Sequence, residues 1–372
     1  MTRMDFRGHT ILAPLTRGGN LPFRRLCVAL GAKVTVSEMA YARQLLQGSG
    51  SERALLRKHA SESCFGVQIA ASNPDDAVRA GALAVERGAA FVDLNAGCPI
   101  HDVVRRGMGA TLLQRPATLA RIAGAMARAL PVPVTVKIRT GWCEGDVNAP
   151  QVAQRLEEVG VAAIAVHGRT REQRYSRAAD WDLIARIAAE RAIPVVGNGD
   201  ILTHYEARRR AYESACASLM VGRGALIKPW IFTEIERGEE WLPTARERVA
   251  LYLRFVSFLK EHFGDDERGK KKAMYFLPWH LGFFCRYRPL PEREWEEASR
   301  AHPLLQTRRP EEDGLPPLEQ LLRDGRASMH EAIAEVLWAA ADVDEAVARL
   351  EELARVDPPV LAPATEVATG NG

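Results

Sequence analysis

Residues 91–99 read Phe-Val-Asp-Leu-Asn-Ala-Gly-Cys-Pro. The apolar-rich start of this stretch predicts a buried strand, and Pro99 ends it because proline cannot donate a hydrogen bond to a ladder. Asn95 and Cys98 therefore follow the carboxyl end of a strand, which is where α/β proteins carry their functional groups. A lone cysteine is often only a small buried hydrophobe, so the neighbouring strand ends decide its interpretation.

Length and composition restrict the class of protein. The chain has 372 residues, 47% of them hydrophobic, and a net charge of +3. This charge alone does not indicate nucleic acid. The six cysteines include no C-x-x-C pair, which argues against a zinc site, an iron–sulfur cluster or a disulfide framework. No signal-peptide or membrane-span pattern of ~18 apolar residues occurs. We therefore expect a cytoplasmic protein without a metal or a membrane contact.

Short β-branched runs alternate with helical patterns along the first 225 residues, as in parallel βαβ units. One such helix is predicted at residues 74–88, with proline at its start and glycine at its end. Eight units of this kind predict a (β/α)8 TIM barrel, and a doubly wound sheet is the alternative. The predicted strands are 9–14, 33–39, 65–70, 91–95, 134–139, 163–167, 194–198 and 218–222.

The pattern changes after about residue 238, where helices are predicted at 246–263, 270–287 and 329–353. We predict a barrel domain at residues 1–240, a helical domain at 241–356 and a disordered tail at 357–372, with a Pro- and Glu-rich linker near 289–317. Residues 268–291 form a basic segment without an acidic residue. The segment's aromatic residues, Trp279, Phe283, Phe284 and Tyr287, fit either helix packing or RNA contact. Its basic residues, which fit either a solvated helix face or a polyanion site, are Arg268, Lys270, Lys271, Lys272, Arg286 and Arg288.

Polar groups follow most of the predicted strands. Glycine-rich turns after strands 7 and 8 let backbone N–H groups approach an anion, which predicts a phosphate site that Arg223 can complete. A phosphate-bearing cofactor together with Gln68, Lys137 and His167 suggests flavin mononucleotide, because a lysine stabilises the negative charge of a reduced flavin. The candidate cofactor residues are Pro14, Leu15, Gln68, Lys137, His167, Asn198, Asp200, Gly222 and Arg223.

These strand ends resemble the motif set of the tRNA-dihydrouridine synthases over roughly residues 9–290. The shared stretches are Asn95-Ala96-Gly97-Cys98-Pro99, Lys137-Ile138-Arg139, His167-Gly168-Arg169-Thr170, Gly197-Asn198-Gly199-Asp200 and Gly222-Arg223-Gly224-Ala225. Stretches such as 19–25, 167–175 and 226–235 are similar to the third eukaryotic subfamily. Two differences stand out: Leu15 replaces a methionine that most of the family carries, and the zinc-finger region that precedes the barrel in that subfamily is not expected here.

The resemblance implies FMN, NADPH as reductant, and a uridine in tRNA as substrate, reduced at its C5=C6 bond to 5,6-dihydrouridine. Cys98 matches the acid that protonates C5. Asn95, Lys137, Arg139 and Tyr175 match positions that hold the uracil or the flavin. RNA-backbone contacts are expected from Lys270, Lys271, Lys272, Arg286 and Arg288. The protein is expected to be a monomer. The alternatives are the same reaction on ribosomal RNA, a dihydroorotate dehydrogenase-like FMN barrel acting on a free pyrimidine, and an RNA-binding scaffold with an inactive barrel.

Overall fold

The computed structural model describes residues 6–301 and 314–360. Its centre is a closed barrel of parallel strands, in which β9 pairs with β1, β1 with β2, and β2 with β4. The strands are β1 (Ile11–Leu12), β2 (Val34–Val36), β3 (Ala40–Tyr41), β4 (Cys64–Ala70), β5 (Phe91–Ala96), β6 (Val134–Arg139), β7 (Ala163–His167), β8 (Val195–Asn198) and β9 (Ser218–Val221). Because β2 and β3 both pair with β4, they share one of eight barrel positions. The predicted TIM barrel is confirmed.

Helices surround the barrel. Helix α4 shows why they form where they do: Asn73 caps it by accepting a hydrogen bond from the Asp76 N–H, and Pro74 occupies its first turn. The predicted helix 74–88 ends at Glu86. The helices are α1 (Leu21–Ala29), α2 (Ala42–Leu46), α3 (Gly50–Leu55), α4 (Pro74–Glu86), α5 (His101–Arg105), α6 (Pro116–Ala129), α7 (Ala149–Glu158), α8 (Trp181–Glu190), α9 (His204–Ser214), α10 (Arg223–Ile227) and α11 (Ile231–Arg237), with a 3-10 helix at Gly109–Gln114.

A helical region follows the barrel, and within the described residues it contains no strand. Its helices are α12 (Ala245–Phe263), α13 (Glu267–Ala273), α14 (Leu277–Phe284), α15 (Glu292–Ala301), α16 (Pro317–Leu322), α17 (Ala327–Ala339) and α18 (Val343–Val356). The barrel–helix boundary at residue 240 stays a prediction. Of the predicted disordered tail, residues 361–372 lie outside the described part of the chain.

Two predicted helices are wrong as single elements. The 270–287 pattern divides into α13 and α14, since Pro278 lies in the first turn of a new helix and has no N–H to extend the previous one. The 329–353 pattern divides into α17 and α18, because Asp342 accepts a hydrogen bond from the Glu345 N–H and so caps a second helix. The predicted Pro- and Glu-rich linker near 289–317 contains helix α15.

The helical region packs on the mouth of the barrel. Phe23 of α1 meets Phe255 of α12 edge to face at 5.9 Å and stacks on His280 of α14 at 4.5 Å. Helix α14 also contacts α10 and α17. The three groups Phe23, Phe255 and His280 are fully buried, so the helical region lies against the barrel as a continuous hydrophobic core. None of the described helices is long and apolar enough to cross a membrane.

Candidate active site

A cavity of about 460 Å³ lies between the carboxyl ends of the strands and helices α14 and α17. Its barrel side comes from β4, β5, β6 and β7 and the turns that follow β1 and β9. The residues that line it include Leu15, Arg17, Gln68, Asn95, Cys98, Lys137, Arg139, His167, Tyr175, Arg223, Trp279, Phe283, Arg286, His330 and Glu331. This volume and mixed lining are typical of a small-molecule or cofactor site.

Asn95 holds the turn that carries Cys98. Its Oδ1 accepts hydrogen bonds from the backbone N–H groups of Gly97, at 3.2 Å, and Cys98, at 2.9 Å. Its Nδ2 donates to Gln68 Oε1 at 2.8 Å. Burial raises the pKa of the Cys98 thiol, although the Ile100 backbone and the cations Arg139 and Lys137 oppose that shift. The thiol is therefore protonated at neutral pH, and a protonated thiol is a proton donor.

Lys137 reaches the same cavity from β6. Burial lowers its pKa to about 8, with Arg139 acting in the same direction and Asp93 and Cys98 opposing. Within residues 6–301 and 314–360 its Nζ makes no side-chain hydrogen bond or ion pair. Lys137 is only partly exposed, and an ammonium that lines a cavity without a hydrogen-bonded partner is suited to a ligand that carries or acquires negative charge.

Arg139 crosses the strand ends instead of pointing freely into the cavity. Its Nε donates to the Gly97 carbonyl at 2.9 Å, and one terminal nitrogen donates to the Thr170 carbonyl at 2.9 Å and to the Arg174 carbonyl at 3.3 Å. Burial lowers its pKa to about 10, so it stays charged at neutral pH. Arg139 thus ties the Cys98 turn to the loop after β7 while it lines the cavity.

His167 is neutral. Burial and the cations around it, first Arg139 and then Lys137, lower its pKa well below the ordinary value. Its Nε2 lies 3.2 Å from a terminal nitrogen of Arg169. A guanidinium can only donate, so Nε2 is the acceptor and the ring proton is on Nδ1. His167, which lines the cavity, therefore carries its single N–H on Nδ1.

A second cavity of about 90 Å³ adjoins the first at the ends of β8 and β9. Of the predicted phosphate residues it contains Asn198, Asp200, Gly222 and Arg223, and it shares Pro14, Leu15, Lys137 and His167 with the larger cavity. Glycine is required after both strands. Gly199, after β8, has a φ of +136°, and a Cβ on Gly224, after β9, would meet the Ile201 carbonyl oxygen at 2.1 Å.

Asp200 organises the charges around this second cavity. It forms an ion pair with Arg169 at 2.6 Å and a longer one with Arg223 at 3.4 Å. The Arg223 guanidinium also lies 4.0 Å from the ring centre of Tyr175. The sequence places Arg169 at a strand end but indicates no role for it, because its ion pair with Asp200 depends on residues that the fold brings together. Together with Lys137, the two arginines leave the cavity lining cationic.

The predicted RNA-contacting residues divide into two groups. Arg286 lines the larger cavity, whereas Lys271 and Lys272 are exposed on α13 and lie outside it. Lys270 pairs with Glu335 at 2.7 Å, and Arg288 donates to the carbonyls of Cys285 and Tyr287. The predicted RNA-contacting residues therefore do not form one cluster at the cavity.

The aromatic residues of the basic segment also divide. Trp279 and Phe283 line the cavity, whereas Phe284 and Tyr287 are buried in the core. Next to them Arg17 stacks on the exposed Tyr275, 4.0 Å from its ring centre, and donates to its carbonyl oxygen at 2.6 Å. Sequence reasoning missed this pair, since no local pattern links residue 17 to residue 275. It also missed His330 and Glu331 on the far wall, for which the sequence carries no motif.

The described residues contain no cluster of three or more histidine, cysteine, aspartate or glutamate side chains that could hold a metal ion. The site is instead a set of hydrogen-bonding and cationic groups around one protonated thiol, at the strand ends of a TIM barrel. Such an arrangement, at the strand ends of a barrel, is suited to an anionic ligand and to the delivery of one proton.

The family model for dihydrouridine synthase (Dus) matches residues 11–295. The chain belongs to this family. It is 45% identical over 293 residues to a tRNA-dihydrouridine(47) synthase-like protein of Oryza sativa subsp. japonica, covering 77% of this chain and 42% of the relative. A human protein with the same description is 44% identical over 292 residues, covering 77% and 44%. The chain thus spans less than half the length of these relatives.

Among solved structures, a 2-naphthoyl-CoA reductase aligns with 62% of this chain and 50% of its own, with a TM-score of 0.49 and 13% sequence identity. A likeness of this degree says nothing about ligand or reaction.

Proposed function

We propose that this chain reduces a uridine of tRNA to 5,6-dihydrouridine, using bound FMN and NADPH as the reductant. The observation that carries the proposal is the protonated Cys98 thiol beside the cationic groups Lys137 and Arg139 in one cavity. Membership of the dihydrouridine synthase family supports it, as do the names of the plant and human relatives, which describe synthases that act on tRNA.

The residues present fit FMN. Its phosphate would lie among the glycine-rich turns near Arg223, in the cavity of about 90 Å³, where the lining is cationic. Its ring system would lie in the adjoining larger cavity against Gln68, which has both donor and acceptor atoms, and Lys137, which has no other hydrogen-bond partner among the described residues. Leu15 lines both cavities, so it offers an apolar surface at their junction.

Bound FMN would supply the hydride that NADPH delivers to the enzyme. The protein's own side chains would donate the proton, position the reacting groups and stabilise the charge. Cys98 donates the proton that completes reduction at C5, because its raised pKa keeps the sulfur protonated. Asn95 keeps that sulfur in place through the two backbone N–H groups of the turn. Lys137 stabilises negative charge through its ammonium group, and His167 donates from Nδ1.

The entrance to the cavity suits a nucleic acid. A base must leave its stack to reach groups this deep in a barrel, and unstacking is offset by stacking on protein aromatic rings. Arg17, Tyr275 and Trp279 provide such a cationic and aromatic surface at the rim, and Lys271 and Lys272 extend positive charge along α13. A free pyrimidine would need neither, so the structure favours RNA over the dihydroorotate dehydrogenase-like alternative.

The decisive experiment supplies the purified protein with FMN, NADPH and either unmodified tRNA, ribosomal RNA or free orotate. Product is mapped by dihydrouridine-specific cleavage and mass spectrometry, beginning with position 47, which the relatives' names give for those proteins. We expect dihydrouridine in tRNA only. Turnover of orotate without modification of tRNA would reject the proposal, and a flavin-free protein that does not bind added FMN would reject it at an earlier step.

A further inference from the structure

Asp93 lies beneath the reacting groups and is not part of the function described so far. It is 4% exposed, on the inner face of β5, and its partners across the sheet are Gln68 of β4 and Thr135 of β6. Its two carboxylate oxygens are both used: Thr135 Oγ1 donates to Oδ1 at 2.6 Å, and Gln68 Nε2 donates to Oδ2 at 2.8 Å.

These bonds extend a chain of hydrogen bonds to Cys98. Gln68 Oε1 accepts from Asn95 Nδ2, and Asn95 Oδ1 accepts from the Cys98 N–H. The direction of the chain is fixed at both ends. At one end backbone N–H groups can only donate, which turns Asn95 Oδ1 toward them. At the other end a carboxylate can only accept, which turns Gln68 Nε2 toward Asp93.

The chain also determines which atoms of Gln68 stay available in the cavity. Without an acceptor below it, the Gln68 amide can rotate by half a turn and present its NH2 group to Asn95. Asn95 Nδ2 would then face a second donor. Asn95 could restore a hydrogen bond only by turning Nδ2 toward the N–H groups of Gly97 and Cys98, where donor again meets donor. Each of these arrangements leaves buried polar groups unpaired, which is costly.

We infer that Asp93 is a positioning residue: its carboxylate orients the Gln68 amide, and through Asn95 it fixes the turn that carries the Cys98 thiol. The hydrogen-bond chain itself is independent of any ligand. Its consequence for catalysis rests on the proposed function, in which Gln68 meets the cofactor and Cys98 meets the substrate. A buried carboxylate that was only structural would stabilise the barrel without setting the position of one thiol.

The test measures the position of the thiol directly, as the rate at which iodoacetamide alkylates Cys98 in the purified full chain, read by peptide mass spectrometry. Cys64 is the internal reference, because it is half-buried at the opposite end of the strands, at the start of β4. A variant that destabilises the whole protein would raise both alkylation rates, so the ratio of the Cys98 rate to the Cys64 rate reports only the local change at Cys98. The assay is run at saturating FMN and repeated without FMN.

Asp93→Leu removes the acceptor, so the Cys98-to-Cys64 ratio should rise roughly fivefold, the effect of losing about one net hydrogen bond. Gln68→Leu removes the next residue of the hydrogen-bond chain and should raise the Cys98-to-Cys64 ratio by the same factor. This second variant keeps the test decisive if Asp93→Leu does not fold. Asp93→Asn should stay within about twofold of wild type, because its oxygen can accept from Gln68 while its nitrogen donates to Thr135. Thr135→Val is the matched control, since it leaves the Gln68 arm intact, and it should not change the ratio.

A ratio that stays at the wild-type value in both leucine variants would overturn the inference. So would a rise in Asp93→Asn as large as that in Asp93→Leu, because the residue's role would then not be that of a hydrogen-bond acceptor. With tRNA as substrate, Asp93→Leu should lower kcat while KM for tRNA stays unchanged. If wild type makes no dihydrouridine, the proposed function fails, but the alkylation result still decides the role of Asp93.

Discussion

One terminal nitrogen of Arg169 lies 2.6 Å from each carboxylate oxygen of Asp200, and both side chains are almost completely buried. The other nitrogens of Arg169 are used as well: Nε donates to the Arg177 carbonyl, and the second terminal nitrogen meets His167 Nε2. All three nitrogens of Arg169 are therefore engaged within the protein, and its side chain is fully buried. It holds Asp200 and the neutral form of His167, so Arg223, which is 21% exposed, is the better placed of the two arginines beside Asp200 to bind an anion.

Removing the carboxylate from this pair should unfold the protein at lower temperature. Asp200→Asn leaves the Arg169 charge buried without a counter-charge, a change that costs about 3–5 kcal/mol. Thermal unfolding followed by circular dichroism measures the loss. The matched control is Asp265→Asn, which breaks a surface pair with Lys260 and should cost less than about 1 kcal/mol. Equal melting temperatures for the two variants would contradict this account.

Arg223→Ala should weaken FMN binding without unfolding the barrel. A hydrogen bond to a charged group contributes about 1.5–3 kcal/mol, so the dissociation constant should rise at least about tenfold. Quenching of flavin fluorescence on titration with protein gives this constant. Arg186→Ala, on the outer surface of α8, should bind FMN as wild type does. An unchanged constant for Arg223→Ala would place the phosphate elsewhere.

Cys98→Ala should separate the two halves of the reaction. Reduction of the flavin by NADPH needs no uracil and should proceed at the wild-type rate. Dihydrouridine formation should fall about 10²–10⁴-fold, the usual cost of losing a general acid. Anaerobic stopped-flow absorbance follows the first half, and mass spectrometry of digested tRNA follows the second. Normal product formation by this variant would make Cys98 a structural residue only.

Flavin reduction by NADPH should slow as pH rises through about 8. The pKa of Lys137 is lowered to about 8, chiefly by burial, so the lysine is charged below that pH and loses its charge above it. Cys98 does not cause this decline, because its pKa is raised and this half-reaction does not use the thiol. Lys137→Met should be slow at every pH and show no decline near pH 8. A wild-type decline that persists in Lys137→Met would assign it to another group.

Binding of tRNA should depend on salt through Lys271 and Lys272. Each neutralised phosphate contributes a slope of about −0.7 to −0.9 in a plot of log K against log salt concentration. The double variant Lys271→Ala/Lys272→Ala should flatten that slope by one to two such increments. Lys270→Ala should change it less, since Lys270 is already paired with Glu335. Lys33→Ala, at the opposite end of the barrel beside Glu236, is the control and should leave the slope unchanged. Equal slopes for all four proteins would make the basic segment a solvated helix surface.

The sequence was most informative where local periodicity and strand ends coincide. Strands β6 and β7 have the bounds that their β-branched runs predict. Residues two apart on β6, such as Lys137 and Arg139, line the same cavity, as expected from strand geometry. The helical region was less predictable. The helical pattern in the sequence continues across the residues that start the next helix. The ends of α13 at Ala273 and of α17 at Ala339 are therefore not predicted.

Local sequence patterns do not predict which side chains contact each other when they lie far apart in the chain. The ion pair of Lys270 with Glu335 and the stacking of Arg17 on Tyr275 join residues far apart in the chain. The strand-end residues could be grouped from the sequence because a barrel brings all strand ends to one mouth. No comparable rule says which helix covers that mouth, and His330 therefore had no signal.

The wall of the cavity extends beyond the part of the chain that the family model matches. That match ends at residue 295, whereas Ala327, His330 and Glu331 of α17 line the cavity opposite the strand ends. A protein cut at the end of the matched region would keep every strand-end group but would open the chamber to water on one side. Substitutions in α17 can also reshape the entrance without altering any strand-end group. Under the proposed function, selectivity for the incoming nucleotide and the capacity for redox chemistry can therefore change independently.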